Sequence, residues 1–167
     1  MSDNLIGYLL TTVLVLAGII FGVVMYESAQ SSSNQTTGAM QIATVIANTK
    51  SLYAGQPNFT GLNTAAAIQG GVFPADMAAA GATAATDIWG GAAHDDATAT
   101  GFVVTVDGVP NADCTHVATS YAGADLLSVA INGATLTPPI TPPEAAADCT
   151  VAGSGANGGN ALAFNIS

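Results

Sequence analysis

The chain has almost no positive charge. Lysine and arginine together number 1 in 167 residues, against 11 aspartates and glutamates, for a formal net charge of −10. A surface of that sign repels phosphate backbones, so direct nucleic-acid binding is not expected. Charged residues of either sign make up only 7% of the chain, where an ordinary soluble domain carries about 25%. Its polar surface must therefore be built from Ser, Thr, Asn and Gly. Such a surface can be buried against a neighbour without desolvating many ions, which suits a chain that packs beside copies of itself. An extracellular protein from an acidic or salty habitat would have the same composition. Aromatics are scarce at 6%, with a single tryptophan. Tyr8, Phe21 and Tyr26 are too few and too apolar in context for an electron path, and packing explains them.

What is present is a long run without charge, from Leu5 to Tyr26, bounded by Asp3 and Glu27. About 20 such residues let a helix cross a bilayer with its backbone polar groups satisfied internally. A secretory signal peptide fits poorly. The run is too long for an h-region, no basic segment precedes it, and no Ala-x-Ala site follows at the expected place. Because Lys50 is the sole basic side chain, the positive charges that normally orient a membrane helix are absent. Either those charges were never there or a basic leader has been cut away; the expectation is the second, a short basic leader removed just before Met1.

Beyond Glu27 the helix is expected to continue through a polar stretch, Ser28 to Gly38, where its intrinsic propensity is lowest. An apolar stripe follows at Ile42, Val45, Ile46, Thr49, Leu52 and Tyr53, whose three- and four-residue spacing marks a helix lying on a core. A single helix from Leu5 to Tyr53 would be about 75 Å long, and Gly55, Pro57 and Gly61 end it. Leu62 to Gln69 reads as a short helix capped by Asn63 and stopped at Gly70-Gly71. Residues 75–100 give weak signals apart from Trp89-Gly90-Gly91. Strands are expected at Phe102 to Val106, Leu126 to Ile131 and Ala161 to Ile166, with helical turns at Asp113 to Tyr121 and Glu144 to Asp148. Asn132-Gly133 signals a type I′ hairpin into Ala134 to Thr137. The prolines at 138, 139, 142 and 143 break any ladder. The fold class is therefore α+β: a long N-terminal hydrophobic helix and a small antiparallel sheet. The expected division is 1–54 for the helix, with 1–27 in the membrane or a fibre core and 28–54 packed on the head, and 55–167 for the head.

The chain has 2 cysteines, Cys114 and Cys149. Outside the cytoplasm they would most simply form one disulfide, contributing roughly 3–4 kcal/mol in the chain-entropy model. Inside it they would be a pair of reduced thiols.

The order of parts resembles the type IV pilins, and in detail the type IVb, PilS-like pilins of conjugative and related pili. The matching pieces are Asn48-Thr49-Lys50-Ser51-Leu52-Tyr53, Gly61-Leu62-Asn63-Thr64-Ala65-Ala66-Ala67 and Gly71-Val72-Phe73-Pro74-Ala75-Asp76-Met77. They continue with Ile88-Trp89-Gly90-Gly91, then Val109-Pro110-Asn111-Ala112-Asp113-Cys114, and a second cysteine before the last strand. Each piece is short, but their order and spacing run over nearly the whole chain. The resemblance implies a ladle-shaped subunit, leader removal by a prepilin peptidase, a head disulfide bounding a variable region (114–149), and extrusion by an ATPase-driven inner-membrane machine. The implied partners are identical subunits in a helical filament, the inner membrane before assembly, and the assembly machinery. The implied destination is an extracellular pilus. The family usually carries a glutamate where this chain has Leu5; Asp3 is the nearest carboxylate.

Assembly through the helix has a physical basis as well. In a fibre the apolar side chains bury one another at about 25 cal/mol per Å², so membrane and fibre core are interchangeable solvents for it. The residues expected to carry assembly are Met1, Asp3, Leu5, Leu9, Leu10, Val13, Leu14, Leu16, Ile19, Ile20, Phe21, Val23 and Val24. Gly18 and Gly22, one turn apart among β-branched neighbours, are the candidate helix break in a filament; the polar stretch Ser28 to Gly38 is the rival.

No constellation for catalysis, cofactor or metal emerges, and an enzyme is not expected. His94-Asp95-Asp96 could hold a divalent ion, but a solvated loop accounts for it. Asp107, Asn111 and Asp113 could suit calcium, and turn chemistry around Gly108 and Pro110 explains them as well. His116 beside Cys114 is structural if the thiol is bonded to Cys149. Asn34-Gln35-Thr36, Asn58-Phe59-Thr60 and Asn165-Ile166-Ser167 fit the N-glycosylation pattern, at the frequency chance allows in such a chain. Ser31 to Ser33 and Ser167 are O-glycosylation candidates. The two function classes that remain are a structural subunit, the major pilin, and either a minor pilin or pseudopilin or a bitopic protein with a small ligand-binding outer domain.

Overall fold

The computed structural model describes residues 32–150, 155 and 158–167. The apolar run Leu5 to Tyr26, the assembly residues from Met1 to Val24 and the candidate break at Gly18 and Gly22 lie outside the described residues. Residues Asn34–Ser167 form one compact unit. No described helix is long and apolar enough to cross a membrane.

The first described element, α1, is helical over residues 32–52. Gly38, Gln41, Ile42, Val45, Ile46 and Thr49 are its buried positions, a single stripe at helical spacing. The stripe ends earlier than its periodicity suggests. Leu52 is 44% exposed, because the helix stops there, and Tyr53 turns onto the ring of Phe59, which itself packs on Phe102. Helix α2 spans Thr64–Gln69, and Asn63 caps it by accepting from Ala66 N–H.

Strands β1 (Ala85–Thr86), β2 (Ala92–Ala97), β3 (Phe102–Val109), β4 (Leu126–Ile131), β5 (Ala134–Leu136) and β6 (Asn160–Ile166) make one antiparallel sheet in the order β1-β2-β3-β6-β4-β5. The last strand thus lies at the centre, between β3 and β4. Alternation explains the register. Val104 on β3 stands opposite Phe164 on β6, which stands opposite Val129 on β4, and all three are fully buried. Their neighbours Val103, Thr105, Ala161, Ala163 and Asn165 face the other way and are half-buried. Asn132 and Gly133 both have positive φ, the left-handed pair that a type I′ turn requires between β4 and β5.

Helices α3 (Asn111–Ser120) and α4 (Pro142–Asp148) pack on each other, and α3 also on β6. Thr141 and Glu144 form a reciprocal capping box at the start of α4. The segment read as signal-poor contains two strands. Beyond the short edge strand β1, the free edge of β2 is satisfied by the entry to α2: Asp95 N–H donates to Thr64 Oγ1 and Ala97 N–H to Leu62 C=O. An Ala- and Gly-rich composition hid these strands, since their backbone is held by partners distant in sequence.

Candidate functional site

Three features of the head are built from residues far apart in the chain. The first is a clasp on the exposed start of α1. Trp89, in the β1–β2 loop, lies over Gly38, where any side chain would collide with the indole ring. Its Nε1–H donates to Asp113 Oδ2 at 2.8 Å. Gln35 Nε2 donates to Asp113 Oδ1 at 3.0 Å. One turn on, Gln41 Nε2 donates to Asp76 and its Oε1 accepts from Ile88 N–H. The loop carrying Trp89 is itself wound around Asp87, whose Oδ1 accepts from both Trp89 N–H and Gly91 N–H at 2.9 Å. Asp87 Oδ2 is buried and has no hydrogen-bond partner among the described residues. Burial, with some repulsion from Asp107, raises this carboxyl to about 6 against the pull of its backbone donors.

The second feature is the disulfide. Cys114 on α3 and Cys149 at the end of α4 are bonded, with their Cα atoms 5.9 Å apart. A side-chain network reinforces the closure. Asn132 donates to Asp148 C=O and to Asn160 Oδ1, and accepts from Ala161 N–H. The fully buried Asn160 also accepts from Thr150 N–H and donates to Val109 C=O. No sequence motif announced Asn160. It opens an apolar strand, and an amide is buried there only because its polar atoms find partners.

The third is a cleft of about 430 Å³ between the end of α3 and the proline segment, lined by Thr119, Tyr121, Gly123, Leu126, Pro138, Pro139 and Ile140 among others. All these residues fall within the segment that the disulfide closes. Beside it, Lys50 at the end of α1 pairs with Asp125, which also accepts from Tyr121 Oη at 2.8 Å. Burial raises Asp125, but the donors Lys50 and Tyr121 outweigh it and hold the carboxyl below its usual range. Burial and the same carboxylate push Tyr121 up to about 12.

Two readings of candidate residues need correction. His94-Asp95-Asp96 is not a solvated loop but the middle of β2. His94 is exposed, while Asp95 is 0% exposed and accepts from Thr49 Oγ1 at 2.6 Å. Two-residue alternation puts the middle carboxylate on the inner face. Of Asp107, Asn111 and Asp113, the last has both carboxylate oxygens engaged by Gln35 and Trp89. Asp107 is on β3, and Asp113 turns into the core to receive Trp89 and Gln35. Among the described residues no group of three or more His, Cys, Asp or Glu could hold a metal ion. His116 sits exposed on α3, and its neighbour Cys114 is committed to the disulfide. Asn58 is exposed, whereas Asn165 donates to Ser128 on the open sheet face.

A helix clasped along one face by an antiparallel sheet, with a late disulfide closing a helical and looped segment, is the architecture of a type IV pilin. Pilins are structural proteins rather than enzymes. The chain belongs to the Bundlin family, whose model matches residues 27–167. In shape it is similar to the crystal structure of a type IVb pilin from Salmonella typhi, with a TM-score of 0.62 and 24% identity over 79% of this chain and 99% of that one. At that identity the likeness speaks for the fold. No curated protein matches the chain.

Proposed function

We propose that the protein is the major pilin of a type IVb pilus, polymerising through its N-terminal helix into an extracellular filament used for attachment, aggregation or conjugative contact. The observation that carries this reading is the joining of a Bundlin-family head to the charge-free run Leu5 to Tyr26. The run gives the helix two interchangeable apolar environments, the inner membrane before assembly and the fibre core after it. The exposed face of α1 fits the same role: Thr36, Met40, Ala43, Thr44, Ala47 and Ser51 are all uncharged. Helix packing tolerates such a face at little desolvation cost.

In this reading residues 1–27 form the membrane and filament-core part, 28–54 the part held by the head, and 55–167 the head itself. A prepilin peptidase removes the leader and an inner-membrane machine adds subunits. Negative-stain microscopy of material sheared from cells, with intact-mass measurement of its main protein, tests the proposal. Filaments composed of this chain, beginning at the processed N-terminus, are expected. A detergent-bound monomer at native abundance, with no filaments, would overturn it.

A further inference from the structure

Thr49 on α1 and Asp95 on β2 meet inside the core, and their hydrogens do not add up for an ionised acid. Thr49 Oγ1 lies 2.9 Å from Val45 C=O and 2.6 Å from Asp95 Oδ2. A hydroxyl carries one hydrogen and donates once. With Asp95 ionised, Thr49 serves one acceptor and leaves the other contact without a proton. With Asp95 protonated on Oδ2, the carboxyl O–H donates to Thr49 Oγ1 while Thr49 O–H donates to Val45 C=O. Only the protonated arrangement satisfies both distances.

The surroundings favour the same state. Asp95 is 0% exposed and its Oδ1 has no hydrogen-bond partner among the described residues. Burying a neutral carbonyl oxygen unpaired costs far less than burying a carboxylate oxygen unpaired. Among the described residues no cation answers it. Lys50, the next residue on α1, pairs with Asp125, and Tyr53 packs on Phe59. Helix α2 carries no ionisable side chain, and the inward residues of β3 are Phe102, Val104 and Val106. On β2 itself His94 lies beside Thr64 Oγ1, and Asp96 accepts from Thr64 N–H. Burial first, reinforced by repulsion from Asp96, raises the carboxyl to about 6 and outweighs the opposing pull that a Thr49 hydroxyl donating to an ionised Asp95 would exert.

We propose that Asp95 is a proton-dependent latch between α1 and the sheet. Protonated, it donates to Thr49 and holds the helix on β2; deprotonated, it leaves an unanswered charge in the core and loosens that grip. The folded head binds this proton more tightly than the unfolded chain does, from 3.8 to about 6. Its contribution to stability is therefore fully present below the unfolded value and lost as pH rises through the folded one. The folding equilibrium shifts against the head by roughly a hundredfold across that window.

The test uses the full-length protein in detergent between pH 5 and pH 8. Infrared difference spectra should show a neutral carboxyl C=O band that titrates near 6 and is lost in Asp95→Asn. Hydrogen exchange, corrected for intrinsic rates, should show amides of residues 45–52 less protected at pH 8 than at pH 5. In Asp95→Asn the amide N–H donates to Thr49 at every pH, so protection should be equal at both. Asp87 titrates in the same range, so Asp87→Asn serves as the control and must keep both the Asp95 band and the change in protection. Should Asp95→Asn fail to fold, Thr49→Val takes its place, and the neutral-acid band must then move to the frequency of an unbonded carboxyl. An Asp95 already ionised at pH 5, or α1 protection independent of pH in the wild type, would overturn the latch.

Discussion

Replacing Gly38 with alanine sets two effects of known sign against each other. Glycine inside a helix costs about 1 kcal/mol relative to alanine, so propensity alone predicts that Gly38→Ala stabilises the protein. The structure predicts the reverse. A Cβ at this position would enter the six-membered ring of the Trp89 indole, which must then tilt away from α1. Tilting breaks the 2.8 Å bond from Trp89 Nε1–H to Asp113, and Asp113 is 2% exposed. A hydrogen bond to a carboxylate contributes about 1.5–3 kcal/mol, and a buried acceptor left short of a donor forfeits most of it. Some apolar burial of the ring is lost as well. The net expectation is a destabilisation of about 1–2 kcal/mol, which lowers the melting temperature by a few degrees.

Trp89 is the chain's single tryptophan, so its emission reports the same event. It should shift to the red in Gly38→Ala as the ring becomes wetter. A double variant, Gly38→Ala with Trp89→Ala, removes the obstacle. In that background the alanine should stabilise by its propensity, giving a coupling energy of opposite sign to the single change. A Gly38→Ala protein that melts higher than wild type with unchanged emission would refute the reasoning.

Serine at both Cys114 and Cys149 should cost roughly 3–4 kcal/mol by the chain-entropy argument, read as a lowered melting temperature that reductant no longer changes. Asn132→Ala puts a residue that tolerates the left-handed region less well than asparagine at φ 52 and removes the donor to Asp148 C=O and Asn160. A loss of about 1–3 kcal/mol is expected in thermal melts. Lys50→Ala breaks an ion pair whose lysine is 37% exposed, so less than about 1 kcal/mol should be lost; a larger loss would mean that the pair also braces the adjoining cleft. Because burial raises Asp87 to about 6, its share of stability is present at pH 4 and lost as pH climbs through 6. Asp87→Asn should flatten that part of the pH–melting curve, and an unaltered curve would count against the burial of its unpaired oxygen.

The class of the fold was legible because local pattern and final structure agree over several segments of the described head. The strand read at Leu126 to Ile131 has those bounds in the structure, and the one read at Ala161 to Ile166 agrees within one residue. Asn132-Gly133 announced its turn because few other dipeptides accept two left-handed residues in succession. Asn63 announced a cap, and the stripe from Ile42 to Thr49 announced a helix lying on a core. The order of short motifs along the chain resembled the family to which the chain belongs.

Other features had no local signal. β6 is last in the chain yet central in the sheet, a placement settled by which strands can bury both neighbours at once. β1 is a two-residue strand paired with β2, and β2 is a short Ala- and Asp-containing strand whose backbone is satisfied by β3 and by the entry to α2. Only that pairing turned Asp95 inward while its neighbour His94 stayed in solvent. In sequence, His94-Asp95-Asp96 and the residues Asp107, Asn111 and Asp113 resembled ligand sets, because composition records which oxygens are near in the chain and not where they point. Tertiary structure dispersed them, directing Asp113 to Trp89 and Asp95 to Thr49. The charge-free run from Leu5 to Tyr26 could be read from one stretch of chain, since a bilayer or fibre core acts on each residue's own polarity. The proton affinity of a buried carboxyl such as Asp95 could not, because it depends on what α1, α2 and β3 place around it.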